Sequence, residues 1–283
     1  PGPPGGSARL QAAAGEALPS GALAARVRAA DVVLLGELHD NPHHHARRGD
    51  LLASLAPAML VAEHLPRGAE AQLRRDVTGT DLRDALKAAG FDDRGWGWPL
   101  HEPLFTAAAH AGHRLQGGNL PREAARQVVR EGPQALPPEL RRLLEAAPLD
   151  PAAQAALERD LLVSHCGQLP VTRLPGMVWA QRGRDAAMVA ALVAARDGRT
   201  PATAAVAAPV VLLAGNGHVR RDYGVPQLLR QLHPGLRVLA IGFAEEGGRG
   251  SEDAGLYDIV WTTPAVRRED PCAGMTAPAP VRS

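Results

Sequence analysis

The chain has 283 residues, enough for one large domain or two small ones. Its formal net charge of +1 argues against a polyanion partner such as nucleic acid, and it contains no apolar run long enough (about 18 residues) for a transmembrane helix. Lys87 is the only lysine, and an arginine-dominated basic set fits GC-rich coding as readily as anion binding by planar guanidinium groups.

Residues 1–8 are rich in Gly and Pro and read as a flexible arm, compatible with a chain whose leader has been removed. Residues 31–35 read as a buried strand running into Gly36-Glu37-Leu38-His39-Asp40-Asn41-Pro42-His43-His44-His45. Asn41 as cap and Pro42 at the first helical position start a helix that runs to about Leu55. A second strand, 59–62, delivers Glu63 and His64. Helices are predicted near 67–76, 80–89 and 102–111, then a weaker strand at 114–117 that leads to Asn119 and, past Pro121, Arg122. Residues 120–200 carry helical patterns near 121–130, 153–165 and 176–196 and no convincing strand. They read as a helical insertion, a lid or a dimerisation arm.

Residues 198–209 form a connector, and 210–214 a strand that ends in Gly215-Asn216-Gly217-His218. A helix near 225–232, strands at 237–241 and 258–261, a polar loop over 247–255 and a loose tail over 271–283 complete the pattern. Strands alternating with helices give an α/β fold with a mainly parallel central sheet, one domain over 9–270.

Ligands of a parallel sheet sit outside the carboxyl ends of its strands. Four such ends here deliver Glu37 and His39, Glu63 and His64, Asn119, and Asn216 and His218 to one expected crevice. Each has an ordinary alternative: acids can accept helix N-terminal amides, and Asn often caps turns. His39 and His218 stand out because each lies just past a glycine-bearing strand end, where backbone can approach a ligand closely. His43, His44 and His45 point about 100° apart on a helix, so at most one or two can face one site, and His43 and His45 are expected in solvent. His165 is expected on the inward face of its helix, and Gln181 and Arg184 interrupt an apolar stripe on theirs, in a site or in a network with Asp185. Cys166 and Cys272 would both stay reduced in the cytosol, whereas an exported chain could join them.

Taken together and in order, Gly36-Glu37-Leu38-His39-Asp40-Asn41 with His44, the Trp96/Trp98/Pro99 segment, Asn119-Leu120-Pro121-Arg122, His165-Cys166, the stretch 180–188, the stretch 214–226, Trp261-Thr262-Thr263-Pro264 and Asp270-Pro271-Cys272 resemble the ChaN-like haem-binding uptake family of the Tiki-like group. The resemblance covers roughly residues 30–272. It implies an iron-regulated, exported lipoprotein, periplasmic or anchored to the outer membrane by lipid, that binds haem and forms a homodimer. It implies haem or another iron carrier as the partner, a tyrosinate ligand from Tyr223 or Tyr257, and propionates paired with Arg122, Arg220 or Arg221. It also keeps His44 in the site and, given export, pairs Cys166 with Cys272. The chain departs from the family pattern at Ile259, after Asp258, and at His101, where the family often carries tyrosine.

Two functions compete. The first is haem binding for iron acquisition without turnover. The second, which the Tiki-like resemblance also implies, is a metal-dependent hydrolase. There Glu37, His39, His44 and His218 hold a divalent metal and Glu37 or Glu63 acts as general base.

Overall fold

The computed structural model describes residues 9–13, 15–19, 21–198, 208–248, 255–270 and 272–273. The expected N-terminal arm, most of the 198–209 connector, most of the 247–255 loop and most of the tail lie outside the described residues.

Among the described residues one eight-stranded sheet forms the centre, from β1 (Arg9–Ala12), β2 (Val32–Leu35), β3 (Met59–Pro66), β4 (Glu70–Ala71), β5 (Arg114–Asn119), β6 (Val210–Leu213), β7 (Val238–Glu245) and β8 (Ile259–Thr263). The strand order is β1-β8-β7-β2-β6-β3-β5-β4, parallel from β8 to β5 with β1 and β4 antiparallel at the edges. The runs Val-Val-Leu-Leu in β2 and β6 are buried on both faces, as strands sandwiched between helix layers must be.

Strand periodicity sorts these side chains into two cores. Val32, Leu34, Val61, Val210 and Leu212 face one layer, made by α5 (Arg122–Glu131), α6 (Pro138–Ala146), α8 (Leu174–Asp197) and α10 (Val225–Leu232). Val33, Leu35, Leu60, Val211 and Leu213 face the other, made by α1 (Ala22–Ala29), α2 (Pro42–Ala53), α3 (Gly79–Ala88) and α4 (Glu102–His110). A satellite core forms where α7 (Pro151–Ser164) packs on α8, around Leu157, Leu161 and Val178. The segment expected as an insertion is thus helical, and its longest helix, α8, is the crossover that covers β3, β5 and β6.

Several expectations shift. Residues 67–76 form no helix: Gly68 takes φ 90° and Glu70–Ala71 pairs antiparallel with β5, so the chain turns back on the sheet edge. β1, α1 and α6 add to the predicted elements. β3 runs on through Glu63 and His64, with a register shift between Ala62 and Pro66.

Neighbouring β2 and β6 feed opposite layers, β2 into α2 and β6 through the short α9 (Asn216–Val219) into α10. That divergence opens a crevice at their carboxyl ends. Asn216 closes its floor by donating to the Phe243 carbonyl (2.6 Å) and accepting from the Phe243 amide (3.0 Å). Gly36 leaves room for that clasp, since a Cβ there would lie 2.2 Å from Asn216 Oδ1 and 2.9 Å from Val219 Cγ2. Gly36→Ala is therefore expected to destabilise the protein by about 1–3 kcal/mol, read as a lower Tm, and an unchanged Tm would refute this account of the junction.

Candidate functional site

Glu37, the first charged residue past β2, is fully buried and sits at the centre of the site. Its Oε1 receives His39 Nδ1 at 2.6 Å and lies 3.3 Å from His64 Nε2 and 3.4 Å from His101 Nε2. On the other oxygen, His45 Nδ1 lies at 3.3 Å and the Arg48 guanidinium makes an ion pair. Four elements converge there: the loop after β2, α2 with His45 and Arg48, β3 with His64, and the residue before α4, His101. α2 is aimed by its cap, since Asn41 Oδ1 accepts the amides of His43 and His44 (2.8 and 3.4 Å).

A second cluster surrounds His218. Its Nδ1 meets Asp185 Oδ1 at 2.6 Å, its Nε2 lies 3.4 Å from Glu63 Oε1, and Gln181 Nε2 approaches within 3.2 Å. Glu63 Oε2 accepts the Gly215 amide at 2.7 Å. The clusters are distinct because Glu63 and His64 are consecutive in β3 and so point to opposite faces of the sheet. Gly215 lets them approach: a Cβ there would meet the His39 ring at 2.9 Å and Glu63 Oε2 at 3.6 Å.

Glu37, His39, Glu63, Asn216 and His218 line one cavity of about 480 Å³, with Gln181 and Arg184. Glu63 and Arg184 also line an adjoining groove of about 450 Å³, walled by His64, Leu65, Pro66, Trp96, Leu120 and Pro121 and reaching Asn119 and Arg122. Trp96 stands at the seam, edge-on to His39 (4.9 Å) and against His64 (4.4 Å). Arg184 has no ion pair among the described residues.

Other sequence candidates lie elsewhere. His44 is buried away from the crevice, where its Nδ1 accepts the Leu38 amide (3.0 Å) and its ring meets Phe243. His45, expected in solvent, is instead buried beside Glu37, because the helix turn that begins at Asn41 directs it inward. His165 is exposed: α7 ends one residue earlier, so His165 is its C-cap and leaves the apolar stripe. Asn119 lines the groove, where its Nδ2 donates to the Glu63 carbonyl (2.9 Å) and its Oδ1 has no hydrogen-bond partner among the described residues.

Tyr223 is buried with its hydroxyl donated to Asp160 (2.7 Å), and burial followed by that acid pushes the phenol above its ordinary range. Tyr257 is buried with its hydroxyl directed at the Asn216 carbonyl (3.4 Å). Arg220 is held by Asp160 and Asp222, and Arg221 by Asp258. Neither tyrosine presents an open phenolate, and these two arginines already have acid partners. Arg122 is exposed, with only a long contact to Asp92 (3.5 Å).

Arg48 and His101 join the site without being singled out by the sequence. The available signal for Arg48 is its spacing, three residues after His45 and on the buried stripe with Leu51 and Leu52. For His101 there is none beyond its departure from the family tyrosine, since the contact spans 64 residues.

Electrostatics separate the histidines. Burial brings His44 and His45 down to about 4, and it drives His64 and His101 down as well, with the Arg48 guanidinium adding to it. These imidazoles are neutral. For His218, burial pulls down, but Glu63 and then Asp185 outweigh it and carry it to about 10, an imidazolium between two acids. Burial pushes the Asp185 carboxyl up. It would push Glu63 up too, but the His218 charge and the Gly215 amide hold Glu63 well below the usual carboxylate range.

Stability should vary with pH accordingly. A histidine at about 4 in the fold and 6.5 when unfolded stabilises above 6.5, and that contribution fades as pH falls toward 4. His218, raised from 6.5 to about 10, stabilises below 6.5 and loses that contribution as pH rises through 10. Denaturant midpoints are expected to fall on the acid side of pH 6.5 and again as pH approaches 10. A midpoint constant from pH 7 to 4.5 would contradict the neutral-imidazole assignment.

The fold and the site have counterparts among known proteins. A family model described as haem-binding uptake, Tiki superfamily, ChaN matches residues 23–229. Among solved structures, one described as cofacial heme binding to ChaN of Campylobacter jejuni is 18% identical, with 90% of this chain and 96% of that chain covered and a TM-score of 0.65. A succinoglycan biosynthesis protein is 12% identical over 79% of this chain and 68% of its own, with a TM-score of 0.39. No curated protein matches. The family match spans most of the chain and the first structure shares its α/β fold, so the chain belongs to the ChaN haem-binding uptake family of the Tiki superfamily.

Proposed function

We propose that this protein binds haem and serves iron acquisition as a carrier rather than an enzyme. Beside the family membership, the observation that carries the reading is Arg184, a cation without an acid partner among the described residues, at the join of two cavities. Haem needs an apolar slot, cations for its propionates and a ligand at the edge. Trp96 and Pro66 supply apolar walls, and Arg184 and Arg122 supply cations to the same groove. Guanidinium forks suit carboxylates. The tyrosinate that the resemblance implied would require Tyr223 or Tyr257 to leave a buried hydrogen bond, and Arg220 and Arg221 would have to leave their acids. Arg122 and Arg184 are therefore assigned to the propionates.

The reading includes export. Cys166 and Cys272 are joined by a disulfide, which supports an oxidising compartment such as the periplasm. Association with a membrane would then rest on a lipid anchor, since no helix among the described residues is long and apolar enough to cross one. A homodimer belongs to the same proposal.

A divalent-metal reading has one observation in its favour: donor atoms of Glu37, His64 and His101 lie within 4.8 Å of one another. Arg48 weighs against it, because a buried guanidinium already supplies the charge that Glu37 needs.

Titrating hemin into the apoprotein is expected to shift the Soret band with saturation. Arg184→Ala and Arg122→Ala should each weaken hemin roughly two- to fivefold and leave the dimethyl ester unaffected, as exposed charge pairs of up to about 1 kcal/mol imply. No Soret change would overturn the haem reading, and equal losses for the ester would remove the propionate assignment. Non-reducing mass spectrometry of periplasmic material should find no free thiol, and two free thiols would count against export.

A further inference from the structure

We propose that the Cys166–Cys272 disulfide is a redox latch on the crevice, fastening the wall that carries Asp40 to the helix that braces the wall carrying His218. The latch holds whatever ligand the crevice admits, so it does not depend on haem binding. Its first anchor is Arg268. The guanidinium pairs with Asp40, a lining residue of the crevice, and with Glu245 at the end of β7 (2.7 and 2.8 Å). Glu245 in turn accepts from Asn41 Nδ2 (2.5 Å) and from the Val266 amide (3.3 Å), and the Pro264 carbonyl accepts from the same Asn41 group (3.2 Å). Residues 264–268 are thereby clasped to the loop that presents His39 and to the cap of α2.

The second anchor is the end of α7. Asp160 on that helix accepts from the Tyr223 hydroxyl (2.7 Å) and pairs with Arg220. Both partners lie just past α9, which places Gly217 and His218 on the other wall. α7 closes with the Cys166 amide on the Val163 carbonyl (3.0 Å) and the Gly167 amide on the Leu162 carbonyl (2.8 Å), a turn whose left-handed position glycine usually fills. Here it holds Cys166 at φ 55°, the one non-glycine residue with a positive φ among the described residues. A side chain in that conformation points to a use for it, and the use here is the bond to Cys272. Cys272 follows Arg268 by four residues, so at most about 14 Å of chain joins the two anchors. While the disulfide is intact, that tether limits how far the two walls can part.

Both cysteines are partly exposed, so a dithiol reductant can reach the bond. One reductant thiolate attacks a cysteine sulfur, the S–S bond breaks and a mixed disulfide forms. The second reductant thiol then displaces the cysteine. The reductant leaves as its own disulfide, and its two electrons and two protons end on the Cys166 and Cys272 thiols. Arg268 stays on Asp40, but α7 and the Asp40 wall now move independently.

The test follows amide hydrogen exchange of the full chain, oxidised, reduced with dithiothreitol and reoxidised, beside Arg268→Ala and a Cys166→Ser/Cys272→Ser double variant. Reduction should speed exchange over residues 36–45 and 214–223 about tenfold, a local opening that leaves the core strands 32–35 and 210–213 unchanged. Reoxidation should reverse it, and the double variant should match the reduced protein. In Arg268→Ala, reduction should change residues 36–45 little, since that anchor is already loose. If the double variant does not fold, reversible reduction of the wild type decides. Equal exchange in the oxidised and reduced proteins would overturn the latch. So would acceleration confined to α7, or spread evenly over the core strands, since either describes a disulfide that only staples the fold. Hemin takes no part in the measurement, so its outcome and that of the haem reading are separate.

Discussion

The buried Glu37 carboxylate is the constraint on which the rest of the site depends. An anion removed from water is costly unless it is paired and hydrogen bonded. Here the compensation comes from Arg48 and from imidazoles on four different elements. Each partner explains a piece of the architecture. α2 must present His45 and Arg48, three positions apart, on the face it turns to the sheet. α4 must begin next to His101. β3 must continue past the end of its apolar run so that His64 reaches inward. The carboxylate thus ties the loop after β2 to α2 and to the start of α4, two of the four helices of its layer.

Strand alternation then divides the chemistry. Within β3, His64 joins the Glu37 cluster, and Glu63, one residue earlier, faces His218 across the sheet. The first cluster balances an anion with a guanidinium and neutral rings. The second balances an imidazolium with two acids, of which Glu63 is held well below the usual carboxylate range and Asp185 is pushed up by burial. Buried inside them, the Arg48 nitrogens, Nδ1 of His64 and of His101, and Asp185 Oδ2 have no hydrogen-bond partner among the described residues. What remains facing the cavities with unused capacity is small: the outer nitrogen of His39 and the guanidinium of Arg184. A polar-looking crevice therefore offers a ligand only a few groups, and those lie beside aromatic and aliphatic walls.

Much of the fold is legible because parallel strands buried on both faces are written as short uninterrupted apolar runs, and five of them stand out between helical patterns. Glu37, His39, Glu63, Asn216 and His218 can be gathered from the residues just past each run, since carboxyl ends of a parallel sheet share one edge. The failures have physical causes. Residues 67–76 have helical composition but hydrogen bond to a sheet edge, a tertiary demand that local propensity does not express. His165 fits the apolar period of α7 only if the helix continues, and it stops at Ser164. His44 and His45 are indistinguishable by spacing alone, and the side of α2 that meets the sheet assigns one to Phe243 and the other to Glu37. Tyr223 and Tyr257 stand out as the chain's only tyrosines, yet rarity says nothing about exposure. Arg48 and His101 need contacts across sequence separations that no motif encodes.

The degree of closure around Glu37 also bears on the choice between carrier and hydrolase. A metal hydrolase keeps a coordination position open to water and leaves a carboxylate free to take a proton. Glu37 has neither freedom, because Arg48 occupies one side of it and imidazoles the other. Glu63 is similarly committed, to the Gly215 amide and His218. A buried carboxylate already paired with a guanidinium is a poor base but a good support, since it can hold a neighbouring imidazole in one tautomer. The same residues that resemble hydrolytic machinery in sequence thus form, once folded, a scaffold that fixes one exposed ring. That difference comes from the burial of Arg48 against Glu37.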